Sequence, residues 1–138
     1  MYLNIAIDGP AGAGKSTIAK ALAQALGILY LDTGAMYRAM ALKALRAGVD
    51  PRDPKAVTPL LKDTDIFARN LDGIQHTYLD GEDVSHLLRT QEMARAASDI
   101  SAIPQVRIKL AQVQRNVAKA GDVVMDGREI GSYVLPDT

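Results

Sequence analysis

Hydrophobic positions change their spacing several times along the chain, and each change marks an element. Leu3, Ile5, Ala6 and Ile7 form a short apolar run closed by Asp8-Gly9-Pro10, the pattern of a buried strand entering a tight loop. From Gly14 the period becomes helical. Ile18, Leu22 and Leu26 recur every four residues, and Gly27 stands where a helix-ending glycine belongs. Ile28 to Leu31 reads as a second buried strand, followed by a helix from about Gly34 to Ala47 that Gly48 stops. Strand, helix, strand, helix in this order predicts a parallel sheet with crossover helices.

The middle of the chain breaks this rhythm. Val49 to Pro59 holds three prolines and reads as a loop leading to a short helix near Leu60. Ile66 to Arg69 and Gln75 to Leu79 read as short strands joined by a hairpin turn at Asn70-Leu71-Asp72-Gly73. Asp83 is placed to cap a helix from about Val84 to Ser98. A longer helix follows Pro104 to about Ala120, with Val106, Leu110, Val113 and Val117 as its apolar stripe. Val123, Val124 and Met125 make a third buried strand that delivers Asp126 at its end. The expected class is α/β: a parallel core interrupted by a small antiparallel and helical insert. Three parallel strands make a thin sheet, so the sequence is expected to be cut short relative to the fold it begins.

Composition narrows the function classes. Of 138 residues, 48% are apolar, enough for a packed core. Lys plus Arg equals Asp plus Glu at 16 each, which does not suggest non-specific nucleic-acid binding. Aromatics are 4%, with no Trp, so a base-stacking platform is not expected either. The absence of Cys removes disulfides, thiolate zinc sites and cysteine nucleophiles. With no secretory leader in view, a cytoplasmic location is expected. No apolar run nears the roughly 20 residues of a spanning helix, so no membrane partner is expected.

The strongest chemical signal is Gly9-Pro10-Ala11-Gly12-Ala13-Gly14-Lys15-Ser16, followed by Thr17. It matches G-x-x-x-x-G-K-[ST] between a strand and a helix, the required setting. Glycines let backbone N–H groups close around phosphate oxygens, and the helix start adds its positive end. Lys15 supplies a cation to the β- and γ-phosphates, and the Ser16 hydroxyl a ligand to Mg²⁺. A nucleoside triphosphate is therefore expected.

The acceptor must be read elsewhere. Asp32-Thr33-Gly34-Ala35-Met36-Tyr37-Arg38 follows the second strand, on the edge of a parallel sheet that faces ligands. Arg38 can hold a phosphate bidentately and Tyr37 can donate to it. The alternative, a solvated Arg38 and a core Tyr37, stays open here. Asp126 follows the third strand, where phosphate-loop proteins often place an acid that positions Mg²⁺ or its waters; a turn or helix cap is the alternative. Arg128 is a second phosphate candidate. Arg89, Arg107 and Arg115 lie on helical stretches and can be read as surface charges, which is the better reading for Arg115. His76 and His86 lack ligand-like spacing and are assigned to the surface, whereas Met36, Met40, Met93 and Met125 are assigned to the core.

Taken together, Asp8 to Thr17, Asp32 to Arg38, Leu79-Asp-Gly-Glu-Asp-Val84, Arg89-Thr-Gln-Glu92 and Asp126-Gly-Arg-Glu-Ile-Gly131 resemble bacterial cytidylate kinases, block by block and in order. The resemblance implies a phosphate-loop nucleoside monophosphate kinase fold. Residues 1–59 would form the first part of the core, 60–99 the monophosphate-binding insert, and 100–138 the core continued. The family's C-terminal part and lid would be missing. It implies transfer of the γ-phosphoryl group of ATP to CMP or dCMP, with Mg²⁺, by a monomer. Lys15, Arg38, Arg128 and Asp126 would be catalytic. Thr33, Tyr37, Arg38 and Arg128 would surround the acceptor's phosphate and ribose, and Ser98, Arg107 and Glu129 would face the cytosine. The family usually carries Asp where Glu129 stands and often Ser where Thr33 stands. Other small-acceptor phosphate-loop kinases and a non-catalytic nucleotide-binding fragment remain as alternatives. A GTP-dependent switch would need Asp-x-x-Gly and Asn-Lys-x-Asp motifs, and neither occurs.

Overall fold

The computed structural model describes residues 4–8, 15–71, 74–120 and 123–127. In chain order the elements are β1 (Asn4–Asp8), α1 (Lys15–Leu26), β2 (Leu29–Asp32), α2 (Thr33–Arg46), α3 (Pro54–Val57), a 3₁₀ turn (Thr58–Asp63), β3 (Ile66–Leu71), β4 (Ile74–Leu79), β5 (Glu82–Asp83), a second 3₁₀ turn (Ser85–Leu87), α4 (Gln91–Ser101), α5 (Pro104–Ala120) and β6 (Val123–Gly127). They divide into two compact units: residues 1–33 with 111–138, and residues 34–110.

The first unit is built on a parallel three-stranded sheet of order β1-β6-β2. The third strand in sequence thus lies between the first two. That place suits its uninterrupted apolar run, because a central parallel strand is covered on both faces; Val123 and Val124 are fully buried. Helix α1 packs on this sheet. Its contact is made by Ala23, 4% exposed against Val124, with Leu22 half-buried beside it. Ile18 and Leu26 are instead 60% and 47% exposed, which corrects the expected stripe. A small residue lets the helix approach the sheet closely, so the position that matters is Ala23 and not the larger residues spaced around it. Gly27 adopts φ 67° and closes the helix as expected, with the Ile28 N–H donating to Ala23 C=O at 3.0 Å.

The second unit pairs an antiparallel sheet of order β3-β4-β5 with helices. Its core gathers Met36, Ala39, Met40 and Ala44 of α2, Met93, Ala96 and Ile100 of α4, and Val106 and Leu110 of α5. The expected core role of Met36, Met40 and Met93 therefore holds. In the hairpin, Ile66 faces Leu79, and the Phe67 and Tyr78 rings stack with centroids 4.7 Å apart. Arg69 lies over both rings, at 5.9 and 5.7 Å. Asn70 and Leu71 belong to β3, not to the turn, leaving Asp72 and Gly73, outside the described residues, between the strands.

The expected helix from Val84 to Ser98 is also corrected. Asp80 and Gly81 both take positive φ, 51° and 85°, the type I′ pattern that folds a chain back on itself. Glu82 and Asp83 then pair with Leu79 and Tyr78. The helix begins only at Gln91. Its N-cap is Thr90, whose Oγ1 accepts from the Met93 N–H at 3.1 Å, and it runs on to Ser101. Of the stripe expected in α5, Val106 and Leu110 are buried, while Val113 and Val117 are half-buried and the polar Gln114 is buried beside them.

Candidate active-site residues

In the first unit the register aligns the strand ends. Ile7, Asp126 and Asp32 occupy one rung, and Asp8 lies opposite Gly127 on the next. All three strands run the same way, so their C-terminal ends meet at one sheet edge, where open α/β sheets bind ligands. The segment 9–14 joins β1 to the start of α1; these glycine-loop residues lie outside the described residues. Lys15, Ser16 and Thr17 form the first turn of α1, and the N-terminus of a helix favours an anion. Asp126 is the fourth residue of β6 and lies within the strand. Arg128 and Glu129 follow β6 directly and lie outside the described residues.

Thr33 is 2% exposed and opens α2 immediately after β2. Tyr37 and Arg38 come one turn later on α2, each half-buried. Ser98 stands exposed on α4, and Arg107 is half-buried on α5. Within the first unit, Thr33 follows the end of β2, and Asp126 lies beside Asp32 at the same sheet edge; Tyr37 and Arg38 belong to the second unit. Ser98 and Arg107 come from separate helices and are not brought to that edge by connectivity.

Two polar networks in the second unit were not legible from spacing. In the first, Asp83 Oδ1 accepts from the Ser85 N–H at 3.0 Å and the Ser85 hydroxyl at 2.7 Å, while Asp83 Oδ2 lies 2.8 Å from His76 Nδ1. These hydrogen bonds, Ser85's first and then His76's, hold the Asp83 carboxyl well down, at about 2. Ser85 Oγ in turn accepts from the Thr77 N–H at 2.7 Å. His76 is therefore a half-buried member of a network and not a plain surface residue, whereas His86 is exposed as expected. Both line a groove of about 410 Å³ together with Arg89. Among the described residues no three His, Cys, Asp or Glu side chains gather to hold a metal ion.

The second network joins α2 to the β4–β5 turn. Lys43 Nζ lies 2.6 Å from Asp80 Oδ2, and Asp80 Oδ1 accepts from the Asp65 N–H at 2.8 Å. Burial opposes the Asp80 charge, yet the hydrogen bonds from Lys43 and Asp65 hold its carboxyl below the ordinary value. Arg46 forks onto both Glu82 oxygens, at 2.9 and 3.3 Å.

A strand, a glycine-rich G-x-x-x-x-G-K-S segment and a helix, set at the C-terminal edge of a parallel sheet, define a phosphate-loop α/β protein. The sequence matches the cytidylate kinase family over residues 5–138, and the chain belongs to that family. It is 52% identical over 135 residues to a protein named cytidylate kinase from Caldicellulosiruptor bescii, covering 98% of this chain and 60% of that one. Its counterpart from Symbiobacterium thermophilum is 54% identical over 135 residues, covering 97% and 60%. That from Mycobacterium leprae is 49% identical over 140 residues, covering 96% and 58%. The chain spans about 60% of the length of the first of these relatives. Among the described residues no helix is long and apolar enough to cross a membrane.

Proposed function

We propose that this chain carries the donor site and much of the acceptor site of a cytidylate kinase, which moves the γ-phosphoryl group of ATP to CMP or dCMP. The observation that supports the reading is the sheet register: Ile7, Asp126 and Asp32 share a rung, so the ends of β1, β6 and β2 lie together at one edge of the first unit's sheet. An acceptor phosphate oxygen forms a bond to the γ-phosphorus while the bond from that phosphorus to the β–γ bridging oxygen breaks, leaving ADP and CDP or dCDP. No covalent enzyme intermediate is required, so the chain's work is positioning and charge stabilisation. Residues 9–14 offer backbone N–H groups to the phosphates, with Lys15, Ser16 and Thr17 at the helix start. Lys15, Arg38 and Arg128 supply cations to the transferring group and the acceptor phosphate, and Thr33 and Tyr37 donate hydrogen bonds there.

Mg²⁺ typically takes one or two protein oxygens plus phosphates and waters, and the Ser16 hydroxyl and Asp126 carboxylate would be donors of that kind. When bound, Mg²⁺ neutralises charge on the β- and γ-phosphate oxygens.

Cytosine presents an amino donor and two acceptors. Glu129 would accept from the amino group, and Ser98 and Arg107 would donate to the acceptors. Uracil's carbonyl would meet the Glu129 carboxylate with repulsion. The reading also takes the protein as a cytoplasmic monomer acting on small molecules. Its first test is Lys15→Ala in the intact protein. Turnover is expected to fall by orders of magnitude with the circular dichroism spectrum unchanged; near-normal turnover would remove Lys15 from the donor site.

A further inference from the structure

Helix α2 has two functional ends. Its first turns carry Thr33, Tyr37 and Arg38, the acceptor-side residues of the functional reading above, on which this inference rests. Its last turn carries Lys43 and Arg46, and both hold the turn between β4 and β5. Asp80 is the hub of that grip. It is the one non-glycine residue with positive φ among the described residues, at 51°. Its N–H donates to Asp65 C=O at 2.7 Å, its Oδ1 accepts from the Asp65 N–H at 2.8 Å, and its Oδ2 takes Lys43 Nζ at 2.6 Å. Lys43 Nζ also reaches Asp63 C=O at 3.4 Å. Beyond Gly81, Glu82 receives the Arg46 fork. An isolated exposed ion pair contributes little. Here two pairs flank a single tight turn, and one of them is tied into the backbone at both Asp65 groups. Between its ends α2 is fully buried at Met36, Ala39, Met40 and Ala44, so it acts as a stiff bar.

We propose that Asp80, through Lys43, is a positioning residue for the acceptor: it fixes the antiparallel sheet to the helix that presents Tyr37 and Arg38, so that helix and sheet meet the nucleotide as one body. Asp80 touches no substrate. Loosening it would cost acceptor affinity and leave the phosphoryl-transfer step intact.

The test is steady-state kinetics of the intact protein carrying Asp80→Asn, Lys43→Met or both, with CMP varied at saturating ATP and Mg²⁺. Asparagine tolerates positive φ and keeps an acceptor for the Asp65 N–H, so it removes chiefly the charge that holds Lys43. The expected result is a KM for CMP raised about three- to tenfold in each single variant, with kcat and the KM for ATP within about twofold. The double variant should be no worse than Lys43→Met alone, because that substitution already removes the contact to Asp80 together with the weaker one to Asp63. An unchanged KM for CMP in Asp80→Asn, additive effects in the double variant, or an equal fall in kcat would each overturn the proposal. If Asp80→Asn does not fold, Lys43→Met decides alone, since it leaves the turn backbone untouched. Absence of CMP-dependent turnover in the unaltered protein would instead refute the functional reading underneath.

Discussion

Gln114 sits on the buried face of α5, 1% exposed, and among the described residues its amide Nε2 has no hydrogen-bond partner. An unpaired buried amide donor costs about 1–3 kcal/mol, because water is lost and nothing replaces it. Methionine has nearly the same length and volume, favours helix about equally, and carries no donor. Gln114→Met is therefore expected to stabilise the fold by about 1–2 kcal/mol, allowing for imperfect packing of the new thioether. For a chain of 138 residues that raises the thermal midpoint by about 3–7 °C. Gln114→Ala is the control. It removes the same donor but leaves a cavity, so its gain should be smaller or reversed. The assay is urea unfolding followed by circular dichroism, with the m-value checked so that a shift in midpoint reads as stability. A midpoint for Gln114→Met equal to or below that of the parent, at unchanged m, would refute the reasoning. The amide would then be shown to have a partner worth more than its burial costs.

Three further outcomes follow from other parts of the molecule. Thr90→Ala removes the N-cap of α4 and is expected to cost about 1 kcal/mol, read as a lower urea midpoint, with Thr90→Ser restoring most of it. The Asp83 carboxyl is depressed from 3.8 to about 2, so its stabilisation is fully present above its unfolded value and is lost as pH falls from about 4 toward 2. Asp83→Asn should flatten the pH dependence of stability in that window, and an unaltered acid slope would contradict the Ser85 and His76 hydrogen bonds. Glu129→Gln should erode discrimination between CMP and UMP, since an amide can donate to uracil's carbonyl where a carboxylate repels it; an unchanged ratio of kcat/KM values would remove Glu129 from the base.

How far the sequence speaks depends on whether the deciding interactions are local. The parallel strands and the helix after the glycine loop follow from short apolar runs and from glycines placed next to them, and α5 was readable from Pro104 to Ala120. The strand order was not, because nothing local says that β6 lies between β1 and β2. In α1 the four-residue spacing of Ile18, Leu22 and Leu26 gives the packed face only in part: Leu22 packs beside Ala23, whereas Ile18 and Leu26 are exposed. The sheet contact is made by Ala23, a residue whose small size carries no signal in a hydrophobic pattern. Asp83 precedes an apolar residue and so resembled a cap, but the Asp80-Gly81 turn claims it for β5, and Thr90 caps the helix instead. The Asp80–Lys43 contact joins residues 37 positions apart and is invisible to any spacing rule. Residues could be nominated for chemistry because a phosphate site imposes residue types at fixed spacing after a strand end. The polar networks around Asp80 and Asp83 impose no such spacing.

The most direct test of the central claim is ADP formation by the intact protein with ATP and Mg²⁺, measured against CMP, dCMP, UMP, AMP and no acceptor. The account predicts turnover with CMP and dCMP well above that with UMP, AMP or water. Equal turnover with every nucleotide, or ADP formed at the same rate with no acceptor present, would contradict it.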